Sequence, residues 1–405
     1  MARHSPYPMI SIEEALALIV GHCPVQPRLA LPFDQAHGAV LAAPIVADDP
    51  MPPFRAATVD GFAVRAADGA TERTLVGAQF AGYDAALRVG AGQAARITTG
   101  APLPAGADAV MMVEWSEERD GRVGFSRSVA AGDFVRPIGS DIAQGEAILT
   151  AGQPLGPAEI GLLATIGRLE VDIFRPPRVG VMSTGDELVA PYERPAPGQI
   201  RDSNRYSLIA AIREAGGETL DLGIAPDSEE ELRNFMVQGA AHCDLMVTSG
   251  GVSMGELDLV KPLLAELGTV HFGRVNTKPG KPLTFATFEG KPFFAMPGNP
   301  VSSLVCFELF VRPALRKMRG FPEDRWHRPR VVATLSHTAP HSADRTEFQR
   351  ATLHFDAAQG RYIATTTGNQ RSSRLLSMVG ANGLIVLPHG HGDYKAGSTV
   401  EAMLL

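Results

Sequence analysis

Cysteine is scarce in this chain: three in 405 residues, Cys23, Cys243 and Cys306, widely spaced and mostly in apolar surroundings. An odd, scattered set argues against a disulfide framework and for reduced core thiols in a cytoplasm, none of them catalytic. Long apolar runs are also missing. No stretch reaches the ~18 residues of a membrane span, and the N-terminus has no signal-like apolar core, because Ser11-Ile12-Glu13-Glu14 reads as a capping box opening a helix. A cytoplasmic protein with no membrane partner is expected. There is no basic tract and the formal charge is −7, which disfavours nucleic acid as a partner, since phosphate-backbone affinity rests on an excess of Lys and Arg. There is no internal repeat.

What is present is a chain long enough for two to four domains, with ample apolar content for real cores. Residues 1–45 are helical and then extended. A comparable segment at 141–177 carries Ala158-Glu159-Ile160-Gly161-Leu162-Leu163, again a helix, so the two predict one discontinuous domain. Between them, residues 46–140 hold short β-like pieces such as Ala95 to Thr99 and Ala109 to Glu114, split by Gly and Pro turns, which predicts an inserted β-rich domain.

Over residues 178–322 strands and helices alternate. Val179 to Ser183 is a buried strand, Asp202-Ser203-Asn204 caps a helix running to Glu214, and Gly216-Gly217 ends it. Strand Leu220 to Ile224 follows, then a second capping box at Ser228-Glu229-Glu230-Glu231, strand Asp244 to Ser249, and a helix from Glu256 to Leu267. This pattern predicts a doubly wound α/β domain with a mostly parallel sheet, whose ligands sit beyond the carboxyl ends of the strands. Residues 323–405 read as five short strands, at Val331 to Leu335, Phe348 to Phe355, Tyr362 to Thr366, Gly383 to Leu387 and Thr399 to Met403, and predict a small β-barrel or sandwich.

The chemistry sits in the turns. Thr277-Lys278-Pro279-Gly280-Lys281-Pro282 puts two ammonium groups three residues apart on a backbone stiffened by prolines. Met296-Pro297-Gly298-Asn299-Pro300-Val301-Ser302 puts a tight turn and a first-turn proline before an apolar helix. Both suit oxyanions: lysine is a compact charge, a helix N-terminus offers unpaired N–H groups, and glycine lets the backbone come close. Ser183-Thr184-Gly185-Asp186-Glu187-Leu188 and Ser249-Gly250-Gly251-Val252-Ser253-Met254-Gly255-Glu256-Leu257-Asp258 pair glycines with carboxylates. Gly185, Gly250 and Gly251 would cradle phosphate, and Asp186, Glu187 and Asp258 beside it make sense if a hard cation such as Mg²⁺ lies between. Asp227 reads as a third oxygen ligand or, equally, as a helix cap.

These four segments, in this order, closely resemble those of the molybdopterin molybdenumtransferases, the MoeA and gephyrin E-domain family, and the resemblance extends over nearly the whole chain. Pro53-Phe54 with Val59-Asp60-Gly61-Phe62-Ala63-Val64, and Ile97-Thr98-Thr99-Gly100-Ala101-Pro102, are similar to that family's lid motifs. Phe348-Gln349-Arg350 and Asn369-Gln370-Arg371-Ser372 are similar to its C-terminal ones. The resemblance implies an enzyme that takes adenylylated molybdopterin and molybdate, inserts molybdenum into the dithiolene and releases AMP, in an elongated homodimer whose sites are composite, with other proteins of molybdenum cofactor synthesis as further partners. It also implies that Lys278, Lys281, Arg350 and Ser372 hold molybdate, that Glu187 and Asp258 serve Mg²⁺ and phosphate, and that Asp60 and Thr99 enter from the partner subunit. Ser183, Asp227, Ser253, Pro297, Gly298, Asn299, Pro300 and Ser302 complete the expected pterin-binding set.

The chain departs from the family pattern in two places. Phe54 is followed by Arg55, Ala56, Ala57, Thr58 and Val59, where the family usually has an Asp and a Ser, and Val135-Arg136-Pro137-Ile138-Gly139-Ser140 stands where consecutive arginines are common. His389-Gly390-His391 reads as a solvated turn rather than a metal pair. Gly90-Ala91-Gly92 lacks the flanking strand and helix of a dinucleotide loop. Two rival readings are a molybdopterin adenylyltransferase, usually a single domain, and a non-catalytic scaffold, which would not need both lysines and the carboxylates.

Overall fold

The computed structural model describes residues 6–251 and 259–405, so Ser253, Glu256 and Asp258 lie outside the described residues. The Ser11 capping box forms: its hydroxyl accepts from the Glu14 N–H, the Glu14 carboxylate accepts from the Ser11 N–H, and the helix Ile12–His22 follows. Strand Arg28–Pro32 then pairs antiparallel with Glu170–Phe174, and Ile45–Val46 pairs with Ala147–Leu149, so chain segments on either side of the insertion meet in space. Around them Leu41, Leu155, Leu163 and Ile173 form a small core with the helix Pro157–Thr165. The intervening residues carry a six-stranded sheet that includes Gly61–Val64, Arg73–Gln79, Gln93–Ile97 and Ala109–Met112. The expected strand through Glu114 stops two residues early, because Val113–Trp115 turns in a 3₁₀ helix whose Trp115 ring packs on Phe134.

The α/β region is built on a six-stranded sheet in the spatial order Glu218–Ala225, Arg178–Thr184, Leu245–Ser249, Lys291–Met296, Thr284–Phe288, Gly268–Phe272. The first four are mutually parallel and the Thr284–Phe288 strand is antiparallel to its neighbours. Both faces are covered, which is why Arg178–Thr184 is buried at six successive positions instead of alternating. On one face the helix Asn204–Glu214 inserts Leu208, Ile209 and Ile212 at helical spacing, joined by Val305, Phe307 and Leu315. On the other, Glu229–His242 and Val260–Leu267 pack Leu232, Met236 and Leu263 against Met182 and Phe293. The chain leaves Arg178–Thr184 towards one neighbour and returns to the other, so the crevice of the strand-order reversal opens beside Thr184 and Ser249.

Two local readings are corrected. Ser228 makes no side-chain cap bond, so no capping box opens Glu229–His242; the helix start is served by Glu229, Glu230 and Glu231, which put negative charge against the positive end of the helix. The final five strands do close into a barrel, Thr346–Asp356, Arg361–Thr366, Arg330–Leu335, Thr399–Leu404 and Gly383–Leu387, the last pairing back onto the first. A sixth strand joins them that belongs to the lysine turn: Thr277–Lys278 runs parallel to Thr346 and Glu347. The lysine turn is therefore a bridge between the α/β region and the barrel, and not a feature of the α/β sheet alone.

All three thiols are buried, with 0% exposure for Cys23 and Cys306 and 5% for Cys243. Burial pushes the Cys23 thiol up to about 12 and raises those of Cys243 and Cys306. Titration with a chromogenic thiol reagent at pH 8 should therefore find essentially no reactive cysteine in the folded chain and three after denaturation. A rapidly modified thiol in the native protein would contradict the core assignment.

Candidate active site

Parallel pairing sets the site. Ser183, Ser249 and Met296 lie in one row across three adjacent strands, so the turns that follow those strands emerge side by side. Gly185 has φ +140°, Gly250 has φ +98°, and a Cβ on Gly250 would stand 2.6 Å from the Thr184 carbonyl oxygen, so the close approach of these two turns requires glycine. Asn204, the first residue of its helix, ties the turns together: its Nδ2 donates to Ser249 Oγ at 2.8 Å and to the Gly298 carbonyl at 2.7 Å. Sequence reasoning treated Asn204 only as part of a helix cap.

Two clefts meet here. The smaller, about 350 Å³, lies over the strand ends and is lined by Thr184, Glu187, Asn204, Gly250 and Gly298. The larger, about 930 Å³, lies between the lysine turn and the barrel, with Lys278, Lys281 and Ser302 on one side and Arg345, Gln349 and Arg371 on the other. Asn299 and Ser373 line both. The shared wall comes from the backbone, since the Ser372 carbonyl accepts the Val301 N–H at 3.0 Å and so seats the 369–373 loop on the first turn of the helix Pro300–Cys306. One of the helix's free N–H groups is therefore used within the fold rather than offered to a ligand.

The expected residues separate by what they touch. The Lys281 ammonium, half-buried, has no hydrogen-bond or ion-pair partner among the described residues. Lys278 differs: its Nζ lies 3.0 Å from Glu347 Oε2, in a carboxylate only 5% exposed. Ser183 is fully buried and donates to Asp202 Oδ1 at 3.1 Å, and Asp202 in turn holds the buried Arg205 at 2.9 Å. Arg350 is 1% exposed, its Nε donating to Ser377 Oγ at 3.1 Å and its Nη2 to the Arg371 carbonyl at 3.3 Å. Burial pushes its guanidinium down to about 10. It anchors the 369–377 loop from below and is not among the residues lining either cleft, whereas Arg371 lines the larger one. Arg371 lay within a quoted motif but drew no role; a basic residue inside that motif was the available signal.

Of the expected carboxylates Glu187 lines the smaller cleft, while Asp186 and Asp227 meet each other. Asp186 Oδ1 accepts the Asp227 N–H at 3.1 Å and Asp227 Oδ2 accepts the Asp186 N–H at 3.4 Å, a reciprocal clasp between two strand ends. Asp227 thus serves this clasp. Glu187 is exposed and folds back over Gly185, where a Cβ would fall 2.3 Å from its Oε2. Among the described residues no three metal-ligating side chains come together. The donor chemistry still suits Mg²⁺, which takes one or two protein carboxylates and fills its shell with water and phosphate oxygens.

Asp60 and Thr99 are brought together beside the inserted sheet, and neither lines the two clefts described above. The Thr99 N–H at 2.7 Å and its hydroxyl at 3.0 Å both donate to Asp60 Oδ1, and these bonds hold the exposed carboxyl below its ordinary value. His389 and His391 are exposed, as expected of a solvated turn.

A doubly wound sheet with glycine turns at its reversal point, next to a cleft rich in Lys and Arg, has the chemistry of a site for oxyanions. Comparison with known proteins makes this specific. Residues 10–167 match the MoeA N-terminal region (domain I and II), 180–317 the probable molybdopterin-binding domain, and 332–405 the MoeA C-terminal region (domain IV). The molybdopterin molybdenumtransferase of Haemophilus influenzae is 35% identical over 97% of this chain and 98% of its own length. Gephyrin of Dictyostelium discoideum is 38% identical over the whole chain, which spans 63% of that longer protein. The crystal structure of the molybdopterin biosynthesis MoeA protein from Pyrococcus horikoshii covers 98% of this chain with a TM-score of 0.86 and 32% identity. The chain belongs to the MoeA family of molybdopterin molybdenumtransferases.

Proposed function

We propose that this protein is a molybdopterin molybdenumtransferase of molybdenum cofactor synthesis, which receives adenylylated molybdopterin and molybdate and releases the metallated cofactor and AMP. The observation that carries the reading is the pair of adjoining clefts sharing Asn299 and Ser373. A phosphorylated pterin and a tetrahedral dianion are two oxyanionic substrates, and each needs its own cradle. The smaller cleft, lined by Glu187, Asn204, Gly250 and Gly298, suits the pterin phosphate side. The larger, with Lys278, Lys281, Ser302 and Ser372, suits molybdate. Holding both reactants across one wall contributes through positioning, which can amount to roughly 7 to 11 kcal/mol of barrier.

Mg²⁺, held by Asp186, Glu187 and Asp258 with phosphate oxygens, would neutralise charge on the phosphate. The chain's own residues do the orienting: Arg350 and Asn204 fix the loop and turns that form the two walls, and Lys281 offers a charge with no ion-pair partner among the described residues. Incubation with adenylylated molybdopterin and molybdate, read as AMP release, tests the reading directly. Molybdate-stimulated AMP release is expected, and none at any molybdate concentration would refute it.

We propose that Asp60 and Thr99 serve the partner subunit's site, because they line neither of the two clefts in their own chain. Mixing Asp60→Ala subunits with Glu187→Ala subunits should then restore part of the activity, as one site in each heterodimer is intact. A monomer by sedimentation, or no recovery on mixing, would rule out a composite site.

A further inference from the structure

Lys278 stands in an arrangement that its pairing with Glu347 alone does not explain. Glu347 Oε2 is 3.0 Å from Lys278 Nζ and also 3.0 Å from Nδ1 of His341, whose side chain is fully buried. The other imidazole nitrogen, Nε2, is 3.0 Å from the carbonyl oxygen of Pro388. A carbonyl oxygen only accepts, so Nε2 carries a hydrogen. Nδ1 then faces a carboxylate oxygen at hydrogen-bond distance, and that contact also requires a proton, or two lone pairs would oppose each other away from water. The proton sits on Nδ1, giving imidazolium and carboxylate, or on Oε2, giving neutral imidazole and carboxylic acid. In a coupled pair the count matters more than the assignment. With the Lys278 ammonium included, either placement leaves the three groups with a net charge of +1.

We infer that His341 is a positioning residue for the oxyanion cleft: it keeps one extra proton on the His341–Glu347 pair, so that Glu347 orients Lys278 without cancelling its charge. The functional part of this inference rests on the molybdate-binding reading of the larger cleft. Without His341, a buried carboxylate would neutralise one of the two lysines of the turn. With it, the cleft keeps the charge of both and Lys278 has a fixed Nζ position. The other groups around the imidazole agree with a retained proton. Asp393 Oδ1 accepts the His341 main-chain N–H at 2.8 Å and adds negative charge nearby. The Tyr394 ring stands 6.2 Å from the imidazole centroid, and on the His341 segment Asp344 and Arg345 pair with each other at 2.9 Å. Lys278, reached through Glu347, is the nearby charge opposing the extra proton, and it shares the oxygen rather than replacing the bond.

The test has two readouts. In the resting protein, nitrogen-15 spectra of the imidazole and carbon-13 spectra of the Glu347 carboxyl at pH 7 should show a hydrogen on Nε2 and a second proton on the Nδ1–Oε2 pair. A bare Nε2, or a single imidazole proton beside an ionised Glu347, would overturn the inference. Molybdate binding, measured by calorimetry at pH 7, should weaken roughly fivefold in His341→Gln, where Glu347 is left to cancel the Lys278 charge, the size expected for one partly screened charge near the anion. Glu347→Gln, which leaves Lys278 unopposed and needs no extra proton, should keep the tighter binding, and it serves where His341→Gln fails to fold. Wild-type affinity in His341→Gln, or weakened binding in Glu347→Gln, would overturn the inference. The expected proton count with no molybdate binding would uphold the retained charge on Lys278 and sink the molybdate reading with the functional part that rests on it.

Discussion

Lys281→Ala is expected to raise the molybdate concentration for half-maximal turnover by about one to two decades, while binding of adenylylated molybdopterin changes much less. The size follows from a charge-assisted contact in a half-buried cleft, worth roughly 1.5 to 3 kcal/mol. The direction follows from the surroundings of the ammonium: it lines the larger cleft and has no ion-pair or hydrogen-bond partner among the described residues, so its loss removes ligand contact and frees no buried carboxylate. Lys278→Ala is a less clean experiment, because it would strip the buried Glu347 of a partner and mix a stability cost with a binding cost. Initial rates of AMP release over a molybdate titration, with pterin binding measured separately, decide the matter. Equal weakening of both ligands would move Lys281 to the pterin phosphate, and no weakening of either would leave the lysine turn a structural bridge.

Gly280→Ala should damage both stability and turnover, through one identifiable contact. Gly280 has φ +111°, and a Cβ there would stand 2.3 Å from the Sγ of the fully buried Cys306. Strain in this region of backbone space and overpacking of a filled core together cost roughly 3 kcal/mol or more. The lysine turn should shift to relieve it, moving Lys278 and Lys281 relative to the barrel. Combining it with Cys306→Ala removes the obstacle but not the backbone strain, so the double variant should recover part of the loss, and the two substitutions should be non-additive. The measurements are chemical denaturation and AMP release on the four proteins of the cycle. Strict additivity would show that the Sγ contact is not what excludes a side chain at this position.

The local elements were legible because their signals are local. Leu208, Ile209 and Ile212 share one face of a helix at the spacing the sequence displays, and the unbroken apolar strand from Val179 to Met182 implies cover on both faces of the sheet. The closed five-stranded barrel followed from spaced β-like runs, and the glycine turns after Thr184 and Ser249 fell where a parallel sheet opens its crevice. The Ser228 box failed because three glutamates in the first turn serve the helix start without it.

By itself the amino-acid sequence determined which segments are helix or strand, the order of the turns that carry charge and glycine, and, through their likeness to one family, the expected pair of oxyanion sites. Tertiary structure alone decided which of those residues meet. Lys278 and Glu347 are 69 positions apart, and no periodicity relates them; their pairing exists because Thr277–Lys278 adds a strand to the barrel. The same holds for Arg350, Ser183 and His341. Burial turned the first two inward, to a loop carbonyl and to Asp202, and put the third between two acceptor oxygens. Long-range pairing and desolvation depend on the assembled core, so a side chain's charge can be read from the chain while the partner that orients or offsets it cannot.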